Sequence, residues 1–156
     1  MIVFFLFYVF IIPICMLLHE IGHGLGIVLF SKSPAHIYLG NHSEENKENF
    51  KIGRFHFHIH WSYFGFCRWP SRLTKGQKFA AMAGGPLMSL FLVILFFLLL
   101  QEVPQGELYR LIQGIVIFNA MNFLVTAIPM TYPRWLGSYA GHPSDGLQLL
   151  RLFREK

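Results

Sequence analysis

Charge is scarce in this sequence. Only 13% of its residues are charged, against 54% that are hydrophobic, and that balance excludes an ordinary soluble domain. Cysteine is scarce as well. Cys15 and Cys67 are the only two, too few for a disulfide framework, and Cys15 reads as a small packed apolar residue. Aspartate occurs once in the chain, as Asp145. No internal repeat is apparent. The apolar run over 2–18 lacks a basic flank and a small-residue cleavage site before "HEIGH". It is therefore expected to be a retained membrane helix and not a signal peptide.

What the chain has in abundance is long apolar stretches. Three of them, at about 2–30, 79–100 and 108–130, reach the roughly 20 residues that a bilayer span requires. The third is the most polar, carrying Arg110, Gln113, Asn119, Asn122 and Thr126. The expected fold is an all-α membrane protein in one domain over 1–156. It has three transmembrane helices, a small membrane-associated β element between the first two, and a short C-terminal helix with Ser144 as its N-cap. Pro86 is expected in an early turn of the second span, where a missing amide hydrogen is tolerated.

The net charge of +5 is unevenly placed. Eight Lys/Arg fall within 31–78, others follow the third span, and the link "QEVPQGE" has none. Basic residues favour the cytoplasmic side, so the N-terminus is expected outside and the 31–78 segment and C-terminus inside. Topology thus accounts for the basic excess, and no nucleic-acid partner is expected.

Between the first two spans, "GNHSEENKEN" over 40–49 reads as a solvated loop tip. Beyond it, Phe55, Phe57, Ile59 and Trp61 alternate with His56, His58 and His60, the period of a strand in a hairpin or at a sheet edge.

The chemistry concentrates in "HEIGH". His19 and His23 are four apart, so a helix projects both from one face, where two imidazoles can share a metal ion. Glu20 lies about 100° round that helix, within reach of a water on the metal. Ionisable groups inside a span are expensive to bury and are usually functional. A catalytic zinc needs a third protein ligand. Asp145 follows the third span on the side expected to hold the histidines, and a first-turn carboxylate is kept ionised by the helix dipole. The alternative is that Asp145 only caps its helix. A rival ligand set is the row His56, His58 and His60, although the outer two sit about 13 Å apart on a strand. His36, His42 and His142 read as loop residues.

"HEIGH" in the first span, "AGGPLMS" opening the second, and "NAMNFLVTAIP" then "SDG" after the third together resemble the site-2 protease family of intramembrane zinc metalloproteases. The resemblance covers all three spans and implies a small member consisting of the catalytic core. It implies one Zn2+ per chain held by His19, His23 and Asp145, with Glu20 as catalytic base and Asn119 or Asn122 at the substrate. The implied partners are the lipid bilayer, a transmembrane protein or membrane peptide as substrate, and a regulatory membrane protein. The implied location is a bacterial cell membrane. One departure from the family pattern is the 15-residue "MTYPRWLGSYAGHPS" between Pro129 and Asp145. Two other readings stand beside the protease: a catalytically silent relative that binds membrane partners, and a metal-handling membrane protein using the histidine row.

Overall fold

The computed structural model describes residues 2–41 and 46–155. Of the loop tip expected over 40–49, residues 42–45 lie outside the described residues. The first apolar stretch is helical throughout: α1 (Ile2–Leu6), a π-helical stretch (Phe7–Ile11) and α2 (Ile12–Phe30). The widening follows from Pro13. It has no amide hydrogen, so the Val9 carbonyl loses its helical donor. The Ile12 amide reaches back to the Phe7 carbonyl instead, which is the π pattern. The Trp61 indole then donates to the Val9 carbonyl at 2.8 Å, satisfying the group that Pro13 orphaned.

Helix α3 (Lys75–Glu102) starts four residues earlier than the sequence suggests. Its start is fixed by a capping box: the Thr74 hydroxyl accepts from the Gln77 amide, and the Gln77 side chain accepts from the Thr74 amide. Pro86 therefore lies inside the helix and not in its first turn, which leaves the Met82 carbonyl without its usual helical donor. Helix α4 (Glu107–Ala127) ends three residues short of expectation, where Ile128 turns extended. These three helices are long and apolar enough to cross a membrane.

Helices α2 and α3 pack at van der Waals limits. A Cβ on Gly22 would come within 2.4 Å of the Gly84 carbonyl oxygen, and one on Gly84 within 2.1 Å of the Gly22 oxygen. Small residues at such a crossing let two backbones touch without a hydrophobic driving force.

The β element is larger than a hairpin, so the fold is mostly helical and not all-α. Four strands, β1 (Ala35–Leu39), β2 (Phe50–Ile52), β3 (Phe55–Ile59) and β4 (Gly65–Arg68), form a mixed sheet in the order β2-β3-β1-β4. Strand β3 pairs in parallel with β1 and antiparallel with β2. The expected alternation holds over 55–59, but β3 is an interior strand and the edges are β2 and β4. One face, with Ala35, Ile37 and Phe57, buries against Ile27 of α2 and Ala81 of α3. The other face carries His36, Tyr38, His56 and His58, as the strand period of two requires. The Arg54 guanidinium, in the β2–β3 turn, donates to the Val28 and Ser31 carbonyls and so ties the hairpin to the end of α2.

Beyond α4, a 3-10 turn (Arg134–Tyr139) leads towards α5 (Asp145–Arg154). Ser144 caps α5 as expected, accepting from the Leu147 amide at 3.2 Å. Its buried hydroxyl also donates to the Ile128 carbonyl at 2.7 Å and accepts from the Met130 amide at 3.1 Å. The Ser144 amide donates to the Met130 carbonyl at 2.9 Å, and Thr131 bridges Pro143. The 130–144 excursion thus closes on itself, and α5 begins directly beside the end of α4.

Candidate metal centre and its cavity

One helical turn separates His19 and His23 on α2, and both rings are buried. Each is fixed through Nδ1. His19 Nδ1 lies 2.8 Å from the Ser89 hydroxyl of α3. His23 Nδ1 lies 2.7 Å from the Ala81 carbonyl and 3.3 Å from the Gly85 amide nitrogen. A carbonyl can only accept, so the shorter contact puts the His23 proton on Nδ1. With the same tautomer at His19, both Nε2 lone pairs are left to face the third group. Partners of this kind orient the imidazole ligands of metal sites.

That third group is Asp145. Its Oδ2 lies 3.5 Å from His19 Nε2 and 3.5 Å from His23 Nε2. Ser144, not Asp145, supplies the helix cap, so the carboxylate is free of that task. Burial works against its ionisation, but the imidazoles of His23 and His19, when protonated in the absence of a metal, hold it well below the usual carboxylate range. Gly146 next to it presses on the end of α4, where a Cβ would come 1.9 Å from the Ala127 oxygen. The sequence "SDG" therefore works as a unit of tie, carboxylate and close approach.

The donor set fits zinc. Each imidazole nitrogen lies 3.5 Å from the carboxylate oxygen, near the roughly 3.3 Å edge of a tetrahedron with bonds of about 2.0–2.1 Å, and the three ligand atoms lie within 4.8 Å of one another. Space for the imidazoles is kept by Gly85, where a Cβ would come 2.2 Å from His23 Nε2 and 2.7 Å from His19 Nε2. Glu20 is buried beside them.

The centre opens into a cavity of about 700 Å³ bounded by α2, α4, β4 and the 130–144 excursion. His19, Glu20, His23 and Asp145 all line it. Strand β4 runs along one wall, and Gly65 is packed so closely that a Cβ there would come 2.8 Å from Glu20 Cγ. Tyr139, from the excursion, accepts from the Gly65 amide at 2.9 Å and donates to its carbonyl at 3.2 Å. Burial and then the Glu20 carboxylate push the Tyr139 phenol far up, so it stays protonated. Burial likewise raises the Cys67 thiol on β4, which keeps it in its unreactive form.

The two asparagines of α4 part company. Asn122 lines the cavity, and its Nδ2 donates to the Ser89 hydroxyl at 3.1 Å and also lies 3.3 Å from His19 Nδ1. Asn119 is fully buried away from the cavity wall and bonds Cys15 Sγ and the Ile115 carbonyl. Its Oδ1 is the one buried side-chain polar atom among the described residues without a partner.

The histidine row does not converge. His58 meets His36 of β1, His56 meets Glu48, and His60 falls beyond the end of β3. His36 is a strand residue and not a loop residue. Where one ion per chain is expected, the described residues assemble two groups with metal-ligand spacing: His19, His23, Asp145 and His36, Glu48, His58. Sequence reasoning quoted "AGGPLMS" without assigning Gly85 or Ser89 a place at the centre, and it missed Tyr139, because no spacing rule marks them. Each acts across helices or strands far apart in the chain.

Comparison with protein-family models, curated proteins and solved structures finds no match to this chain.

Proposed function

We propose that the chain is an intramembrane zinc metalloprotease of the site-2 protease type, cutting peptide bonds of transmembrane or membrane-inserted substrates. One observation carries the reading: a carboxylate 126 residues from "HEIGH" in the sequence stands equidistant, at 3.5 Å, from both of its imidazoles. The glutamate expected to act as base lines the same cavity. His19, His23 and Asp145 would hold the zinc, which when bound would supply a Lewis acid and a water acidic enough to lose a proton near neutral pH.

The chain's own residues do the rest. Glu20 takes the proton of the attacking water and returns it to the leaving amine. Ser89 and Asn122 hold the His19 ring with its Nε2 towards the centre. A helical substrate hides its peptide bonds, so the segment to be cut must be extended. Among the described residues no strand pairs with the outer edge of β4 beside Glu20, and a strand added there in place of the Tyr139 hydroxyl aligns an extended segment with the centre. Strand β3 cannot do this, because β1 and β2 occupy both of its edges. The orientation with the N-terminus outside and the C-terminus cytoplasmic, the bacterial membrane location and a regulatory membrane partner belong to the same reading.

The test uses detergent-purified full-length protein. Asp145→Ala loses one zinc per chain relative to wild type, while Glu20→Gln keeps that zinc and loses cleavage of a membrane-peptide library by at least about 100-fold. Equal zinc in wild type and Asp145→Ala removes the carboxylate from the centre. Full zinc with no cleavage by wild type favours a silent relative.

A further inference from the structure

Outside this cavity, the polar face of the sheet gathers a second set of donors. We propose that His36, His58 and Glu48 form a second metal site for a divalent first-row ion such as zinc, with the β sheet as its scaffold. The inference does not rest on the protease reading. It uses none of the residues of the α2 centre.

Register builds the site. Parallel pairing sets His36 opposite His56 and Tyr38 opposite His58, so the three histidines share one face and adjacent strands. Ring stacking then limits their rotation. His36 lies on His56 with centroids 4.6 Å apart, and His58 lies on Tyr38 at 4.2 Å. His58 Nδ1 is 3.3 Å from the Asn46 carbonyl, which can only accept. The proton is therefore on Nδ1, and the Nε2 lone pair points outward.

That lone pair faces His36 Nδ1 at 3.2 Å. Two imidazole nitrogens at this distance match the edge of a tetrahedral site, about 3.3 Å for bonds of about 2.05 Å. The Glu48 carboxylate completes the set, with one ligand atom from each of the three residues within 4.8 Å of the others. His56 Nδ1 lies 2.7 Å from Glu48 Oε2. Donating there, it orients the carboxylate and leaves Oε1 for the ion, the arrangement by which outer partners fix metal ligands.

The three ligands come from β1, β3 and the segment leading into β2. A bound ion therefore ties that segment to the sheet. Glu48 is exposed, so ions reach the site from solvent without entering the cavity.

The experiment is zinc loading of metal-free, full-length protein in detergent, read by elemental analysis and by competition with a chromophoric chelator. Circular dichroism serves as the fold control. Wild type is expected to bind two zinc ions and Asp145→Ala one. His58→Ala and His36→Ala each bind one, and their retained zinc shows that the fold survives. Asp145→Ala combined with His58→Ala binds none. Glu48→Gln, which leaves the sheet packing untouched, weakens the second ion at least tenfold.

If folded Asp145→Ala binds no zinc, the second site does not exist. If it binds one ion that survives removal of both His36 and His58, the ion sits elsewhere and the assignment is equally overturned. If wild type holds a single ion that Asp145→Ala keeps and His58→Ala loses, the second site stands and the centre on α2 fails.

Discussion

One hydroxyl, that of Tyr139, occupies both backbone hydrogen-bonding groups of Gly65, at 2.9 Å from its amide and 3.2 Å from its carbonyl. Those are the groups that an added strand on β4 would use first. On the proposed strand addition, the phenol holds the place of a substrate backbone and would have to be displaced by it. Two neutral hydrogen bonds contribute on the order of 1 kcal/mol each. Tyr139→Phe is expected to lower KM for a cleaved peptide by about three- to tenfold while kcat changes little. An unchanged KM would remove the β4 edge from substrate binding.

Gly85→Ala places a methyl group 2.2 Å from His23 Nε2. The methyl therefore pushes the His23 and His19 rings off their positions, towards the cavity that both line. The variant is expected to fold and to lose most of the zinc bound by the α2 centre, as measured by elemental analysis. Zinc retained at the wild-type level would show that the imidazoles have another position from which to bind.

Ser89→Ala removes the hydroxyl that bonds His19 Nδ1 and accepts from the Asn122 amide. Loss of such a partner weakens metal affinity by about 10–100-fold. Chelator competition measures this directly. Asn122→Ala, which leaves Ser89 in place, is expected to weaken affinity less than Ser89→Ala does.

Ser144→Ala deletes the cap of α5 and the two bonds to Ile128 and Met130 together. The expected loss is about 1–3 kcal/mol of stability in thermal or denaturant unfolding. Weaker zinc binding accompanies it, because Asp145 is no longer held against the end of α4. A stability loss without any change in zinc affinity would separate the cap from the centre.

The parts of this fold that were legible in the sequence are those set by local pattern. Apolar run length marked three helices, and four-residue spacing put His19 and His23 on one face. Alternation marked β3, and a serine before the last amphipathic run marked the cap. Asp145 was legible for an unusual reason: as the only aspartate in the chain, it had no competitor of its kind. What stayed hidden depends on pairing between distant segments. The five residues of β1 alternate Ala35, Ile37 and Leu39 with His36 and Tyr38, but the run is too short to stand out without β3 and β4 on either side. His36 therefore read as a loop residue, and its meeting with His58 was invisible. Asn119 and Asn122 are three apart on α4, and only the rotation of that helix about its axis decides which one faces the cavity. Pro86 was misplaced because the Thr74–Gln77 box starts α3 in polar sequence that hydropathy passes over.

The closure of the 130–144 excursion makes the length of that loop independent of the geometry of Asp145. Its two ends are stapled at Met130 and Ser144, so the chain between them hangs from a closed neck. Such a segment can be lengthened, shortened or exchanged at an entropic cost that grows only slowly with size. The Asp145 carboxylate stays where the neck puts it, whatever the length of the loop between the two staples.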